Sequence, residues 1–460
     1  MKRRLLPTLR PMNLTQDPIG PLIQKLAIPA SVGFFFNTMY NVVDTWYAGS
    51  LSTDALAALS IAFPVFFILI AISNGLSQGA TALMAHALGA KKPMEAADLS
   101  RQSVLLGLSL GVLLTGAGWM LGPSMFRMLG AEGSYLTLSL TYMNIIWAGT
   151  LFFIAQSMIN ATLQAQGDTT TYRNLLIVGF FLNLLLDPWL MHGGLGVPAM
   201  GMAGIAWATV LIQVVGVFYL VYRVMGSSLR WSLRLGDWKP QWHLWRSLIA
   251  QGFPAAVNMM TVAAGIFIIT WFISFFSKEG VAAYGIATRI EQILLLPTIG
   301  LNVAVLTLVG QNYGARQLER IYEVRQTALR WGLAMMILGG MLLYPMAETT
   351  MAWFTDSEAV ITLGADYLRV ASITLCSYVI LFQTVFMLQG LKRPMVGLWI
   401  GLYRQIVAPL LVFYGLAYGL DWGIDGIWWG IFGVTWSAAL FTLIYGKRIL
   451  KKLTALTPSQ

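Results

Sequence analysis

Residues 23–47 read IQKLAIPASVGFFFNTMYNVVDTWY, an apolar run whose one carboxylate, Asp44, stands near its end. At about 1.5 Å per residue, such a run is long enough as a helix to cross a hydrocarbon layer roughly 30 Å thick. Runs of this kind recur at about 55–87, 96–120, 134–160, 171–191, 200–223, 245–276, 280–311, 323–346, 358–388, 395–418 and 426–446, which makes twelve. The chain is 57% hydrophobic and 10% charged, with a mean hydropathy of +0.69. A soluble domain averages about 45–50% apolar residues. The expected fold class is therefore an all-α polytopic membrane protein.

The net charge of +10 would point to nucleic acid in a soluble protein, but here position decides its meaning. With the N-terminus inside, 24 of the 29 Lys and Arg fall in inward-facing segments, from Lys2–Lys25 through Arg223–Arg246 to Lys447–Lys452. Only Arg127 and Lys278 fall outside, and Arg289, Arg369 and Arg404 lie within runs. This bias fits the positive-inside rule for an even number of helices with both termini cytoplasmic, in a bacterial-type inner membrane. An omitted or invented helix would invert the pattern downstream. Residues 1–22 read as a cytoplasmic segment, because Pro7, Arg10, Pro11, Gln16, Asp17 and Pro18 interrupt any apolar core of a signal peptide. The single cysteine, Cys376, excludes an intrachain disulfide and a cysteine-based metal site, and reads as a small buried apolar residue.

The opening run also has a copy. Pro29-Ala30 recurs as Pro254-Ala255 and Thr45-Trp46 as Thr270-Trp271. At the same offset of 225, Ala57-Ala58, Ile61-Ala62, Gly75-Leu76 and Gly89-Ala90 recur as Ala282-Ala283, Ile286-Ala287, Gly300-Leu301 and Gly314-Ala315. Each half then holds six helices. An even number per half gives parallel repeats about an axis along the membrane normal, a common transporter plan. The expected organisation is an N-lobe at 23–223, a cytoplasmic linker at 224–244, a C-lobe at 245–446 and a tail at 447–460.

The repeat isolates the chemistry. An ionisable group in hydrocarbon costs roughly 2.5–3.5 kcal/mol on insertion scales, so Asp44 and Asp187 are the first candidates for a working site. Asp44 aligns with Ile269, and by eye Asp187-Pro188 aligns with Ala408-Pro409, so the second half lacks both acids. Both lie near the outer ends of their helices. Tyr40 and Asn41 stand one turn before Asp44, and Asn183 stands one turn before Asp187, on shared faces. Pro188 has no N–H, which leaves the Leu184 carbonyl as a further acceptor. Two close carboxylates in a poorly solvated pocket disfavour double ionisation, so Asp44, Asn183 and Asp187 could hold a proton or a monovalent cation. The plainer reading makes both acids interfacial helix caps.

Glu291 falls near mid-membrane with Arg289 beside it in sequence, a second polar site that is either a structural network or a substrate contact. Residues two apart do not face each other on a helix, so Arg369 and Arg404 are the candidate partners of Glu291. For substrate, Asn37, Asn160 and Thr209 are the polar candidates. Pro29 is expected to bend its helix. The small residues of Gly201–Thr209 are at packing spacing. His86, His192 and His243 lack metal-ligand spacing, so no metal and no organic cofactor is expected. No nucleotide loop is present, and active transport would draw on an ion gradient.

Several stretches in this order resemble the multidrug and toxic compound extrusion family along nearly the whole chain. They are Pro29, Asp44, Gly49 and Leu56-Ala57-Ala58; Gln166-Gly167-Asp168; Asn183 and Asp187-Pro188; Gly201–Thr209; Ala282–Ile290; and Gly310–Ala315. The acid pair is similar to that of the DNA-damage-inducible protein F-like branch. There the equivalents of Asp44, Asn183 and Asp187 are implicated in coupling to protons, alternatively sodium, with Tyr40 beside them and Pro29 as the bending point. The sodium-coupled branch has an acid in its seventh helix, and Gly252–Phe276 has none. The resemblance implies a monomeric antiporter that exports amphipathic, cationic organic molecules, with the bilayer as its partner and no nucleic acid. A flippase for lipid-linked sugars is the second transporter reading, against which stand the twelve helices and few cleft cations. An integral-membrane transferase would need interfacial His/Asp or metal groupings that the sequence does not display.

Overall fold

The computed structural model describes residues 12–232 and 235–456. The first eleven residues of the expected lead-in, positions 233–234 of the expected linker and the last four of the tail lie outside the described residues. Among the described residues, twelve helices long and apolar enough to cross a membrane follow one another. They are α1 (Ile19–Leu51), α2 (Thr53–Gly89), α3 (Pro93–Met128), α4 (Gly133–Ala165), α5 (Thr170–His192) and α6 (Met202–Met225), then α7 (Trp242–Ser274), α8 (Lys278–Gly314), α9 (Leu318–Ala352), α10 (Glu358–Gly390), α11 (Met395–Gly419) and α12 (Gly423–Leu456). A short 3-10 turn at Leu235–Trp238 lies between α6 and α7.

Most helices overrun the apolar runs that announce them, because caps rather than hydropathy end a helix. Ser52 accepts from the Ala55 amide at 3.0 Å and starts α2, and Ser277 accepts from the Gly280 amide at 2.7 Å near the start of α8. These two serines are repeat mates, 225 apart. The turns repeat as well. Lys91 and Arg316, after α2 and α8, both take left-handed φ values of 58° and 60°. Gly167 and Lys392, after α4 and α10, do so at 87° and 60°. Duplication thus fixes the backbone even where residue type has drifted away from glycine, the usual choice there.

The helices form two six-helix lobes about a pseudo-twofold. Each lobe has its own core, one including Ile146, Met158 and Ile205, the other Ala287, Leu368 and Trp428. The lobes meet along α1, α2, α7 and α8. At Gly75 a side chain would run into the backbone of Ala256, and at Gly300 into the Ala27 carbonyl and Ser31. Ala27, Ser31 and Gly300 are the repeat mates of Gly252, Ala256 and Gly75, so one crossing is the twofold image of the other. Nearer the ends of the same helices, Gly89 abuts the Gln311 carbonyl and Gly314 abuts the His86 carbonyl, again as a mated pair. Small residues let the backbones approach this closely.

All these contacts lie in the half of the molecule that holds the start of α1 and the end of α12, here called the terminal side. Two shared cores reinforce the seam there. Ile19, Leu22, Ile23 and Leu26 of α1 pack among Leu301, Val305 and Leu308 of α8, while Met84 and Leu99 pack with Leu248 of α7. Across the seam, the Gln311 amide donates to the Ala165 carbonyl at 2.7 Å, and the rings of His86 and Tyr313 lie 5.4 Å apart. The lobes are therefore pinned together on the terminal side, and each relies on its own core on the other.

Candidate functional site

Along α5 as far as Asp187 the buried positions are Thr171, Leu175, Gly179, Asn183 and Asp187, every fourth residue, which makes a single stripe directed inward. The second half of α1 lies against it. Gly33 admits Leu176 and the Arg173 backbone, and Phe36 meets Phe180 edge-on at 5.5 Å. From the other side α6 comes close, because Gly204 sits against the Leu190–Met191 backbone and Gly179 faces Ile212. Close packing is thus the role of Gly204 within the small-residue stretch, and it carries Thr209 to the acids.

The three helices converge on one cluster. The Asn183 amide donates to Asp44 Oδ1 at 2.8 Å and to Asp187 Oδ1 at 2.9 Å. Thr209 Oγ1 donates to the Ile205 carbonyl at 3.1 Å and reaches Asp44 Oδ2 at 3.5 Å. Asp44 is 5% exposed, while Asp187 and Asn183 are 0% exposed. One NH₂ group therefore bridges two carboxylates, with both of its hydrogens used. Asp187 Oδ2, Asn183 Oδ1 and the Tyr40 hydroxyl are buried without a hydrogen-bond partner. An unpaired buried polar atom costs about 1–3 kcal/mol, more when charged. A positive charge brought beside these oxygens would relieve that cost.

The sequence candidates divide around this centre. Asp44, Asn183 and Asp187 come together as expected, and Tyr40 stands one turn below Asp44. Asn41 is exposed, its amide held by the Asn37 carbonyl at 2.8 Å, and Asn37 is exposed too. Asn160 is half-buried in α4, with its side-chain oxygen unpartnered. Thr209, a substrate candidate from sequence, touches the acid cluster. The Leu184 carbonyl, freed by Pro188, accepts from the Tyr47 hydroxyl at 3.2 Å. Tyr47 gave no sequence signal beyond standing three residues after Asp44.

Pro29 is buried within α1, which stays helical through it. It marks the place where α1 changes partners. Ser31 Oγ donates to the Pro297 carbonyl of α8 at 3.2 Å, and Thr169 Oγ1 donates to the Leu26 carbonyl at 3.0 Å. Up to Ala27 α1 belongs to a core shared with α8, from Gly33 onward it lies against α5, and in between both lobes hold it.

Glu291 is buried on α8 at 6% exposure, and Arg289 is exposed, facing away from it. Arg369 pairs with Glu348 and Asp366, at 2.6 and 3.0 Å. Arg404 stacks over Tyr378 and Phe382, at 5.4 and 5.6 Å from the ring centroids. The partner of Glu291 is Tyr367, whose hydroxyl donates to Oε2 at 2.7 Å within a cluster that includes Tyr284 and Trp428. Its repeat mate, Tyr142, is equally buried and was the available sequence signal. Tyr367→Phe removes the hydrogen bond to Oε2, leaving only Tyr378 and Arg404 near the carboxyl group, and should destabilise the protein by about 1–3 kcal/mol. A melt in detergent reads this as a lowered Tm, and an unchanged Tm would remove Tyr367 as the support of Glu291.

A duplicated bundle of twelve spanning helices, pinned on one side and carrying a buried acid cluster in one lobe, is the build of a membrane transporter rather than an enzyme. The chain belongs to the MatE family, whose model matches it twice, over residues 29–189 and 254–414. The two matches begin at Pro29 and Pro254 and keep the offset of 225. Among curated proteins it is similar to the "Probable multidrug resistance protein NorM" of Thermotoga maritima, 27% identical over 342 residues, or 74% of this chain and 73% of that one. It is also similar to the "FAD transporter" of Shewanella oneidensis, 26% identical over 420 residues, covering 90% and 91% of the two chains. A solved structure described as the "Outward-facing conformation of a multidrug resistance MATE family transporter of the MOP superfamily" superposes with a TM-score of 0.90 at 25% identity, over 97% of this chain and 99% of that one.

Proposed function

We propose that the protein is an ion-driven antiporter that exports amphipathic, cationic organic compounds by alternating access, with protons as the coupling ion. The observation that carries this reading is the Asp44–Asn183–Asp187 cluster with its three unpartnered buried oxygens, present in one lobe only. A proton on either carboxylate removes the charge for which Asn183 is shared and changes how firmly α1 is held to α5. Below Pro29 the same helix is tied to the second lobe, so a change of grip at Asp44 is passed on as relative movement of the lobes. The lysine and arginine bias supports a cytoplasmic terminal side in a bacterial-type inner membrane. The pinned seam then closes the inner side, an outward-facing arrangement from which a proton can reach the acids. Sodium is the alternative ion, since the oxygens would also suit a small monovalent cation.

Purified protein in vesicles, with proton and sodium gradients imposed separately, tests the reading. Efflux of a cationic dye should follow the proton gradient and collapse when that gradient is dissipated. Efflux that follows only sodium reassigns the ion, and no gradient-dependent efflux overturns antiport. The similarity to the FAD transporter makes an anionic dinucleotide a second candidate cargo. The same vesicles loaded with FAD decide between the two.

A further inference from the structure

On the terminal side α9 and α12 diverge around a groove of about 460 Å³. Leu318 and Leu450 give it an apolar floor, Tyr322 and Glu319 stand on the α9 bank, and Lys447 and Lys451 stand on the α12 bank. The two lysines are four apart and share a face of their helix. One turn deeper along both helices, behind the groove's lining, is a guanidinium without a counter-charge. Arg325 is 4% exposed and one turn beyond Tyr322, and it donates to the Leu443 carbonyl of α12 at 3.5 Å, one turn before Lys447. Its Nε has no partner, and among the described residues no carboxylate lies within ion-pair distance of it. A charged side chain buried in a spanning helix is costly, and it normally has an anion or several carbonyls to satisfy it.

The missing anion is supplied by the place itself. The lining residues flank the apolar runs 323–346 of α9 and 426–446 of α12, where the positive-inside reading sets the headgroup level. Basic pockets between spanning helices at that depth bind anionic headgroups, and a guanidinium is the side chain that best matches a phosphate. We propose that this groove is a binding site for an anionic phospholipid with a hydroxylated headgroup, of the phosphatidylglycerol kind. Its phosphate is held by Lys447 and Lys451, with the Arg325 guanidinium one turn deeper as the charge that draws it in. Headgroup hydroxyls donate to Glu319, which a headgroup without donors would leave facing the phosphate. The acyl chains lie on Leu318 and Leu450. The lipid would thereby tie α12 to α9, two helices of the second lobe with few direct contacts at this end.

The test is a thermal melt of the full-length protein in mixed micelles containing phosphatidylglycerol, phosphatidylcholine or neither, with lipid retention read by native mass spectrometry. Phosphatidylglycerol should raise Tm by several degrees more than phosphatidylcholine. Lys447→Gln/Lys451→Gln, both exposed, should fold normally, lose most of that difference and bind the lipid about tenfold more weakly. Arg325→Lys keeps the charge but not the fork and should fall between wild type and the double variant. Equal shifts from both lipids overturn the proposal, and so does a double variant that keeps the full phosphatidylglycerol effect. A full shift from soluble glycerol phosphate would make it a free-phosphate site and overturn it as well.

Discussion

Asp44→Asn is expected to abolish efflux while the variant accumulates in the membrane at the wild-type level. The substitution is nearly isosteric, and its amide oxygen can still accept from Asn183, so the packing of α1 on α5 is kept. It removes the ability to exchange a proton or balance a cation, and it places an NH₂ where Thr209 now offers a hydroxyl. A contact of a few tenths of a kcal/mol is exchanged for the loss of the coupling event. Dye efflux from cells, with an immunoblot for the amount of protein, reads both halves of the prediction. Resistance at the wild-type level in that variant would remove Asp44 from the mechanism, and a variant absent from the membrane would make its role structural. Asp187→Asn should give the same result, because the two acids share one amide.

The second large effect concerns the seam. Gly89→Val puts a branched side chain onto the Gln311 carbonyl, a backbone atom of the opposite lobe that cannot swing away. Overpacking a tight contact typically costs about 1–3 kcal/mol, and here the strain is relieved only by parting the lobes. The variant should lose transport and melt at a lower temperature. In a Cys376→Ala background, a cysteine placed at Ala85, which is 0% exposed, should be shielded from a thiol reagent in the parent and labelled in Gly89→Val. Unchanged labelling with normal efflux would show that the α2–α8 contact is not what holds the terminal side shut.

Much of this was legible in the sequence, for physical reasons that can be named. The bilayer imposes one length on every spanning segment, so the twelve helices are written as runs of apolar residues, and duplication is written as the offset of 225. Intramembrane charge is rare enough that Asp44 and Asp187 stood out at once. The finer geometry needed angles rather than spacings. Tyr40 and Asn41 are both about one turn from Asp44, but at 100° per residue Tyr40 lies about 40° from its face and Asn41 about 60° on the other side. Only the helix packing decides which flank is covered. The serine caps were readable as residues but not as helix ends. The seam was not readable at all, because Gly75, Gly89, Gly300 and Gly314 acquire their meaning from backbone atoms more than 170 residues away. Tyr367 was visible only as the mate of Tyr142, a signal carried by a buried hydroxyl rather than a charge.

The sharing of α1 between two cores has a consequence for synthesis. Ile19, Leu22, Ile23 and Leu26 leave the ribosome long before their neighbours Leu301, Val305 and Leu308, which are made after six further helices. Through most of translation this segment has no permanent neighbour. The newly made first lobe must therefore wait in the bilayer with the lower half of α1 in contact with lipid or with the insertion machinery. Assembly finishes only when α8 arrives. A nascent chain stopped before α8 should remain protease-sensitive near Ile19, and one stopped after Gly314 should not.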